Sequence, residues 1–163
     1  MKISVADIRK HSPCYDPTKI EGITEDTAMT LTEWLKYKAD KLTDADKVWL
    51  ASRFMTETQC RVFAIWCARQ CKTNVKEVND YINAIENYYI KKIITREELS
   101  AAYRAANWAA DSAANWAAYG AADWAAHWAA DSAANWAAHW AADWAADRKK
   151  QVKYLIKMLK EGL

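Results

Sequence analysis

Between Val75 and Lys92 the apolar residues Val78, Ile82, Ile85 and Tyr89 recur at i, i+4, i+7 and i+11. That spacing lines them along one face of an α-helix. The same reading predicts helices around Leu31–Ala39, Asp44–Phe54 and Glu57–Lys72, and a short one after Ser4. Their starts are marked by a Thr or Asn followed three residues later by Glu, Asp or Gln: Thr30…Glu33, Thr43…Asp46, Thr56…Gln59, Asn74…Glu77 and Thr95…Glu98. In this capping box the two side chains reciprocally satisfy backbone donors that the first helical turn leaves over. Pro13, Pro17 and Gly22 mark a loop from about His11 to Ile23. Everything from Thr95 to Lys160 is compatible with helix, and Gly162 stands where a helix C-cap glycine belongs. No β-branched run interrupts the helical periods, so the pattern predicts an all-α, single-domain helical bundle with long Ala/Trp-rich helices near its C-terminus.

A different period governs residues 101–148. Here the chain is twelve tetrads of the form Ala-Ala-x-y, with x Asn, Asp, His or Tyr and y mostly Trp. Residues 125–144 repeat residues 105–124 with three changes: Asn107 to His127, Tyr119 to His139 and Gly120 to Trp140. Alanine is the strongest helix former, so the block reads as helix before packing is considered. A four-residue step advances about 400° around the axis, so the Trp stripe drifts by ~40° per tetrad and winds around the helix. Such a helix needs protein on every side. Unbroken from Arg96 to Lys160 it would be about 98 Å long at ~1.5 Å per residue, against a radius of gyration of ~15 Å for a compact domain of this size. A break is therefore expected near 119–120, at the helix-weak Gly120, and a second near 147–148. The expected organisation of the single domain, 1–163, is short helices over 1–94, tetrad helices over 95–147 and a basic helix over 148–163. Alanine permits close helix approach and tryptophan fills the remaining holes. Trp108, Trp116, Trp124, Trp128, Trp136, Trp140 and Trp144 are accordingly expected to carry much of the core, with Asn, Asp and His accepting from buried indole N–H groups.

Composition narrows the function classes. With 23 basic and 21 acidic residues the net charge of +2 supplies no global field towards nucleic acid. Residues 148–163 hold six bases against Glu161, and the bland account of this basic amphipathic helix is a solvated face with favourable charge at a helix C-terminus. The neighbouring tetrads, with one base against five acids, argue against a nucleic-acid groove. The charged start MKISVADIRKHSPCYDP does not read as a signal peptide. The longest uncharged stretch of the block, Ser112 to Ala122, is far short of the roughly 20 apolar residues of a membrane span. The expectation is a cytoplasmic protein with no membrane association.

Candidate chemistry is sparse. His127 stands four residues from Asp123 and Asp131, and His139 four from Asn135 and Asp143. Helical pairs of this kind can hold a divalent metal, but a four-residue repeat generates them automatically. Cys60, Phe63, Cys67 and Cys71 form a stripe on one helix face. Three thiolates with Cys14 could bind zinc, yet free cysteine is among the most buried residue types and no Cys-x-x-Cys occurs. The stripe is read as core. Three glycines cannot build a phosphate loop, and no nucleophile elbow is present. Neither catalytic residues, nor a metal site, nor a cofactor is implied. If the block presents an aromatic groove, Trp124, His127, Trp128, Asn135, His139, Trp140 and Asp143 are its candidates for contact with a partner or ligand.

Three segments taken together, HSPCYDP (residues 11–17), DADKVWLASRFMTETQCRVFAIWCAR (residues 44–69) and the Ala-rich block ahead of QVKYLIKMLK (residues 151–160), resemble a family of small bacterial and phage immunity proteins. The likeness runs in order over nearly the whole chain, although the heavy Trp usage departs from the commoner Ala/Arg version of the block. The resemblance implies a non-enzymatic inhibitor acting inside a bacterial or infected host cell, one that binds and neutralises a toxin or a defence protein. Homodimerisation through the bare Ala faces is compatible with it. The alternative is sequestration of a nucleotide-like signal in a Trp/His/Asn-lined groove.

Overall fold

The structure is a computed structural model and describes residues 1–13, 15–71, 73–109, 118–120, 122–123 and 148–162. The fold is all-α, with one two-stranded ribbon. Strand β1 (Lys2–Ser4) leads directly into helix α1 (Val5–Lys10). Strand β2 (Ala28–Thr30) leads into α2 (Leu31–Lys36). Then come α3 (Asp44–Phe54), α4 (Glu57–Gln70), α5 (Lys76–Glu86) with a π-helical continuation at Asn87–Lys91, α6 (Arg96–Ala109) and α7 (Arg148–Glu161). Residues 118–120 and 122–123 are also helical. Tyr119 and Gly120, where a break is expected, are thus themselves helical; residue 121 lies outside those described.

The ribbon is antiparallel, with Ile3 opposite Met29. Sequence patterning misses it because three-residue strands are too short to show alternation. Both strands end on the N-cap of the next helix. Ser4 closes β1 and forms a capping box with Asp7; Thr30 closes β2 and forms one with Glu33. The boxes at Thr43/Asp46 and Thr56/Gln59 form as expected, and Thr95 Oγ1 accepts from the Glu98 N–H. The box expected at Asn74/Glu77 does not form. Helix α5 starts one residue later on Val75, which has no side-chain cap, and Asn79 Nδ2 instead donates to the carbonyls of Thr73 and Val75.

Helices predicted to run further stop where a tertiary contact competes. Helix α2 ends at Lys36 because Tyr37 turns extended and its hydroxyl donates to the Glu21 carbonyl at 2.7 Å. That bond brings Tyr37 so close to Gly22, at φ +76°, that a Cβ there would collide with the ring hydroxyl. The loop over 11–23 contains a 3-10 turn, Pro17–Lys19, capped by Asp16. Gly162 takes φ +73° just past α7, as its position suggested.

Two cores share a common wall. The smaller gathers Ile3, Val5, Ile8, Ile20, Ile23, Trp34, Leu42 and Leu50 beneath the ribbon. The larger is built from α4, α5, α6 and α7, and includes Phe63, Tyr81, Ile82, Leu155 and Met158. Helices α2 and α3 face both, since Trp34 and Leu50 enter the first core while Leu35, Val48 and Ala51 enter the second. Within the smaller core, the buried Trp34 Nε1 donates to the Ile3 carbonyl at 3.1 Å. Helix α7 buries Val152, Leu155 and Met158 against α2, α3 and α4, and exposes Lys149, Lys150, Lys153, Lys157 and Lys160. The basic helix closes the bundle with a solvated lysine face, as the bland reading has it.

One expectation about the tetrads is corrected. Trp108 is 89% exposed and contributes nothing to the core; the other six Trp of the block lie outside the described residues. Among the block's described residues, those buried in the core are Ala106, Ala118, Tyr119 and Ala122. Helix α6 packs on α5 through small side chains around Leu99 and Ala106, and Trp108, two residues beyond Ala106, lies about 200° around the axis.

Several surface carboxylates are held in their ionised form. Asp7 is depressed chiefly by Lys10 and Ser4, and Asp16, bonded to Thr18 and Arg9, is lowered to about 2. Glu33 is lowered by its bonds from Thr30, and Glu86 by Arg69. A carboxylate with a depressed folded pKa adds stability above its ordinary titration range and loses it as pH falls towards the folded value. The midpoint of thermal unfolding, followed by circular dichroism, should therefore drop as pH is lowered from about 5 to about 2. The double variant Asp7→Asn, Glu33→Gln keeps an acceptor at each N3 position and should show a shallower drop. An unchanged slope would show that the two cap carboxylates are not linked to folding.

Candidate functional site

The expected groove residues Trp124, His127, Trp128, Asn135, His139, Trp140 and Asp143 lie outside the described residues, as does Cys14. Cys60, Cys67 and Cys71 are placed, and all three are buried in the larger core. Burial pushes the Cys67 thiol well up and the Cys71 thiol to about 11. Cys71 Sγ donates to the Cys67 carbonyl one turn back at 3.7 Å. Thiols so far from ionising are core groups, because the thiolate is the nucleophilic and metal-binding form. Among the described residues no three His, Cys, Asp or Glu side chains come together as a metal set.

Where the tetrad block meets the rest of the bundle, three tyrosines interlock. The ring of Tyr81 on α5 lies 5.7 Å from that of Tyr103 on α6 and 6.0 Å from that of Tyr119, and Tyr103 and Tyr119 are 5.9 Å apart. Desolvation, with the charge of Asp123 nearby, pushes the Tyr81 and Tyr119 hydroxyls strongly up. Tyr103 and Tyr119 are also hydrogen-bonded to each other. Among the described residues the buried Tyr81 hydroxyl has no hydrogen-bond partner. This triad is an anchor: it fastens Tyr119 to α5 and α6 through aromatic area.

Among the described residues, two surfaces are candidates for contact with another molecule. The first is the outer face of α6, where Ala101, Arg104, Ala105 and Trp108 follow one another at i, i+3, i+4 and i+7 and are all exposed. The alanines leave the backbone bare, so Arg104 and Trp108 stand out from a flat helical surface. Arg104 Nη1 donates to Ser100 Oγ at 2.9 Å, one turn back, which fixes the guanidinium along the helix.

The second is a cleft of about 470 Å³ between the first turns of α4 and the π-helix. Glu57, Thr58 and Arg61 form one wall; Tyr88, Tyr89, Lys92 and Ile94 form the other. The Arg61 guanidinium carbon lies 4.2 Å from the Tyr89 ring centroid, a cation–π contact, and the Arg61 side chain is only 9% exposed. Tyr88 stands edge-on to Tyr89, with centroids 4.8 Å apart at 87°. Lys92 follows in the left-handed region at φ 55°, where the Ile93 N–H donates back to the Asn87 carbonyl.

Sequence reasoning missed this cleft. The helical period runs through Tyr89 as though α5 continued regularly, and nothing in the pattern marks the wider π turn that presents Tyr88 and Tyr89. A usable signal was the aromatic-then-basic run YYIKK at residues 88–92, just where the apolar stripe ends.

No family model, no curated protein and no solved structure matches the chain. The likeness to immunity proteins accordingly rests on the residues quoted above.

The anchor makes a sign-specific prediction. Tyr81→Phe removes a buried hydroxyl that has no partner and should leave stability unchanged or raise it by up to about 2 kcal/mol. Tyr81→Ala should cost about 3–5 kcal/mol through the cavity it opens. Urea denaturation measures both; a loss above about 1 kcal/mol in Tyr81→Phe would mean the hydroxyl is bonded in solution.

Proposed function

We propose that this chain is a non-enzymatic binding protein of the immunity or anti-defence kind, which neutralises a toxin or defence protein by direct contact in the cytoplasm of a bacterial or infected host cell. Helix α6 presents the contact face. The observation that carries this reading is Trp108, whose indole is 89% exposed, while Trp34 is buried and Trp49 and Trp66 are half-buried against the cores. An indole left in water forgoes the burial of roughly 150–250 Å². Together with Arg104 it supplies two of the three residue types enriched among energetically dominant interface positions. The bare Ala101 and Ala105 let a partner surface approach the helix closely. The occupant that fits is a protein offering an apolar pocket for the indole and a carboxylate for Arg104. No helix among the described residues is long and apolar enough to cross a membrane.

The test compares wild type with Trp108→Ala, a change at an exposed site that should leave the circular dichroism spectrum and unfolding midpoint unaltered. Wild type should form a stoichiometric complex with one protein from the native or infected cell, and co-expression should relieve that protein's toxicity or defence activity. Trp108→Ala should weaken the complex by about 30-fold or more, the factor corresponding to ~2 kcal/mol, and abolish the relief. Retention of full neutralisation by Trp108→Ala would remove this face from the interface. Concentration-dependent self-association lost in Trp108→Ala would instead assign the face to a homodimer.

A further inference from the structure

The cleft between α4 and the π-helix has a chemistry of its own, separate from the α6 face. Two of its lining groups, Arg61 and Lys92, are cationic, and one, Glu57, is anionic. Glu57 Oε1 lies 3.8 Å from Arg61 Nη2, beyond hydrogen-bond length, and the Glu57 side chain is 74% exposed. It can swing into solvent at little cost, since exposed ion pairs contribute little. Arg61 cannot swing. Its side chain is buried and its guanidinium lies over the Tyr89 ring, so the planar fork is held in place before any ligand arrives. A pre-oriented guanidinium presents a fixed positive charge that suits an anion such as phosphate. Thr58 adds a hydroxyl, and the N-terminal end of the 14-residue α4 adds a favourable dipole.

The opposite wall is aromatic. One face of Tyr89 is covered by Arg61, and Tyr88 stands perpendicular to it. The corner formed by the two rings and Ile94 offers apolar area beside the cations, and the cavity volume falls in the ordinary range for small-molecule sites, about 300–1,000 Å³. A π-helical insertion shapes this corner, a feature found repeatedly at binding sites. We propose that the cleft binds a phosphorylated small molecule bearing a planar ring, of nucleoside-monophosphate size, with its phosphate on Arg61 and Lys92 and its ring against Tyr88.

Isothermal titration of the full chain with AMP, UMP, adenosine and inorganic phosphate tests this. At least one nucleoside monophosphate should bind about tenfold or more tightly than either adenosine or phosphate alone, because each half lacks one set of contacts. Lys92→Asn is the informative variant. Asparagine tolerates the left-handed backbone at this position, so the cation is lost without strain, and affinity for the monophosphate should fall about tenfold. Glu57→Gln removes the competing carboxylate and should tighten binding. Tyr88→Ala should reduce the monophosphate to the affinity of phosphate. Absence of binding by either monophosphate and by phosphate at millimolar concentration would overturn the proposal. So would binding that Lys92→Asn and Glu57→Gln leave unchanged, since the ligand would then sit elsewhere. Equal affinity for phosphate and monophosphate would overturn the ring contact.

Discussion

The architecture depends on α2 and α3 serving two cores at once. Adjacent residues of α2 point opposite ways: Trp34 enters the core under the ribbon and Leu35 enters the core of the main bundle. Leu50 and Ala51 divide in the same manner on α3. A helix buried on two sides cannot rotate without emptying one core, so these two elements fix the relative position of everything packed on them. The bond from Trp34 Nε1 to the Ile3 carbonyl adds direction to what is otherwise non-directional packing. It also satisfies an indole donor that would be costly to bury alone.

Helix α7 extends this arrangement. It returns from the far end of the chain to pack on α2, α3 and α4, and its Tyr154 ring stacks on Trp66 at 4.3 Å. The Tyr81–Tyr103–Tyr119 triad joins Tyr119 to α5 and α6, and α7 is committed to the shared wall. Close approach of α6 to α5 through alanine leaves the opposite face of α6 outward, and Trp108 is exposed as a consequence. The α6 face proposed for a partner thus follows from how the tetrad block enters the bundle.

The α4–π-helix cleft follows from a different local event. Had α5 continued as a regular α-helix, Tyr89 would have remained in register with Val78, Ile82 and Ile85 on the core stripe. The wider turn at Asn87–Lys91 shifts it to a half-buried position over Arg61 and leaves Lys92 to end the element in the left-handed region. A buried arginine is thereby stabilised by an aromatic face and kept at the edge of a solvent-connected cavity. Both candidate surfaces arise at ends of the helices that flank Tyr81, one by close packing and one by local widening.

Local chemistry determined most of the helices. Capping boxes at Thr30, Thr43 and Thr56 form as the sequence states them, because each uses side chains three residues apart and needs nothing from the rest of the chain. The all-α class, the buried cysteine stripe and the C-cap at Gly162 were legible for the same reason, as all are short-range or periodic signals. The ribbon, the early end of α2 at Tyr37, the failure of the Asn74 cap and the π turn were not. The ribbon and the end of α2 depend on contacts between residues distant in sequence, the Asn74 cap loses to local bonds from Asn79, and the π turn departs from the 3.6-residue period that pattern reading assumes. The exposure of Trp108 belongs with them: a four-residue repeat places Trp on every side of its helix, and only the packing of α6 on α5 decides which side faces water.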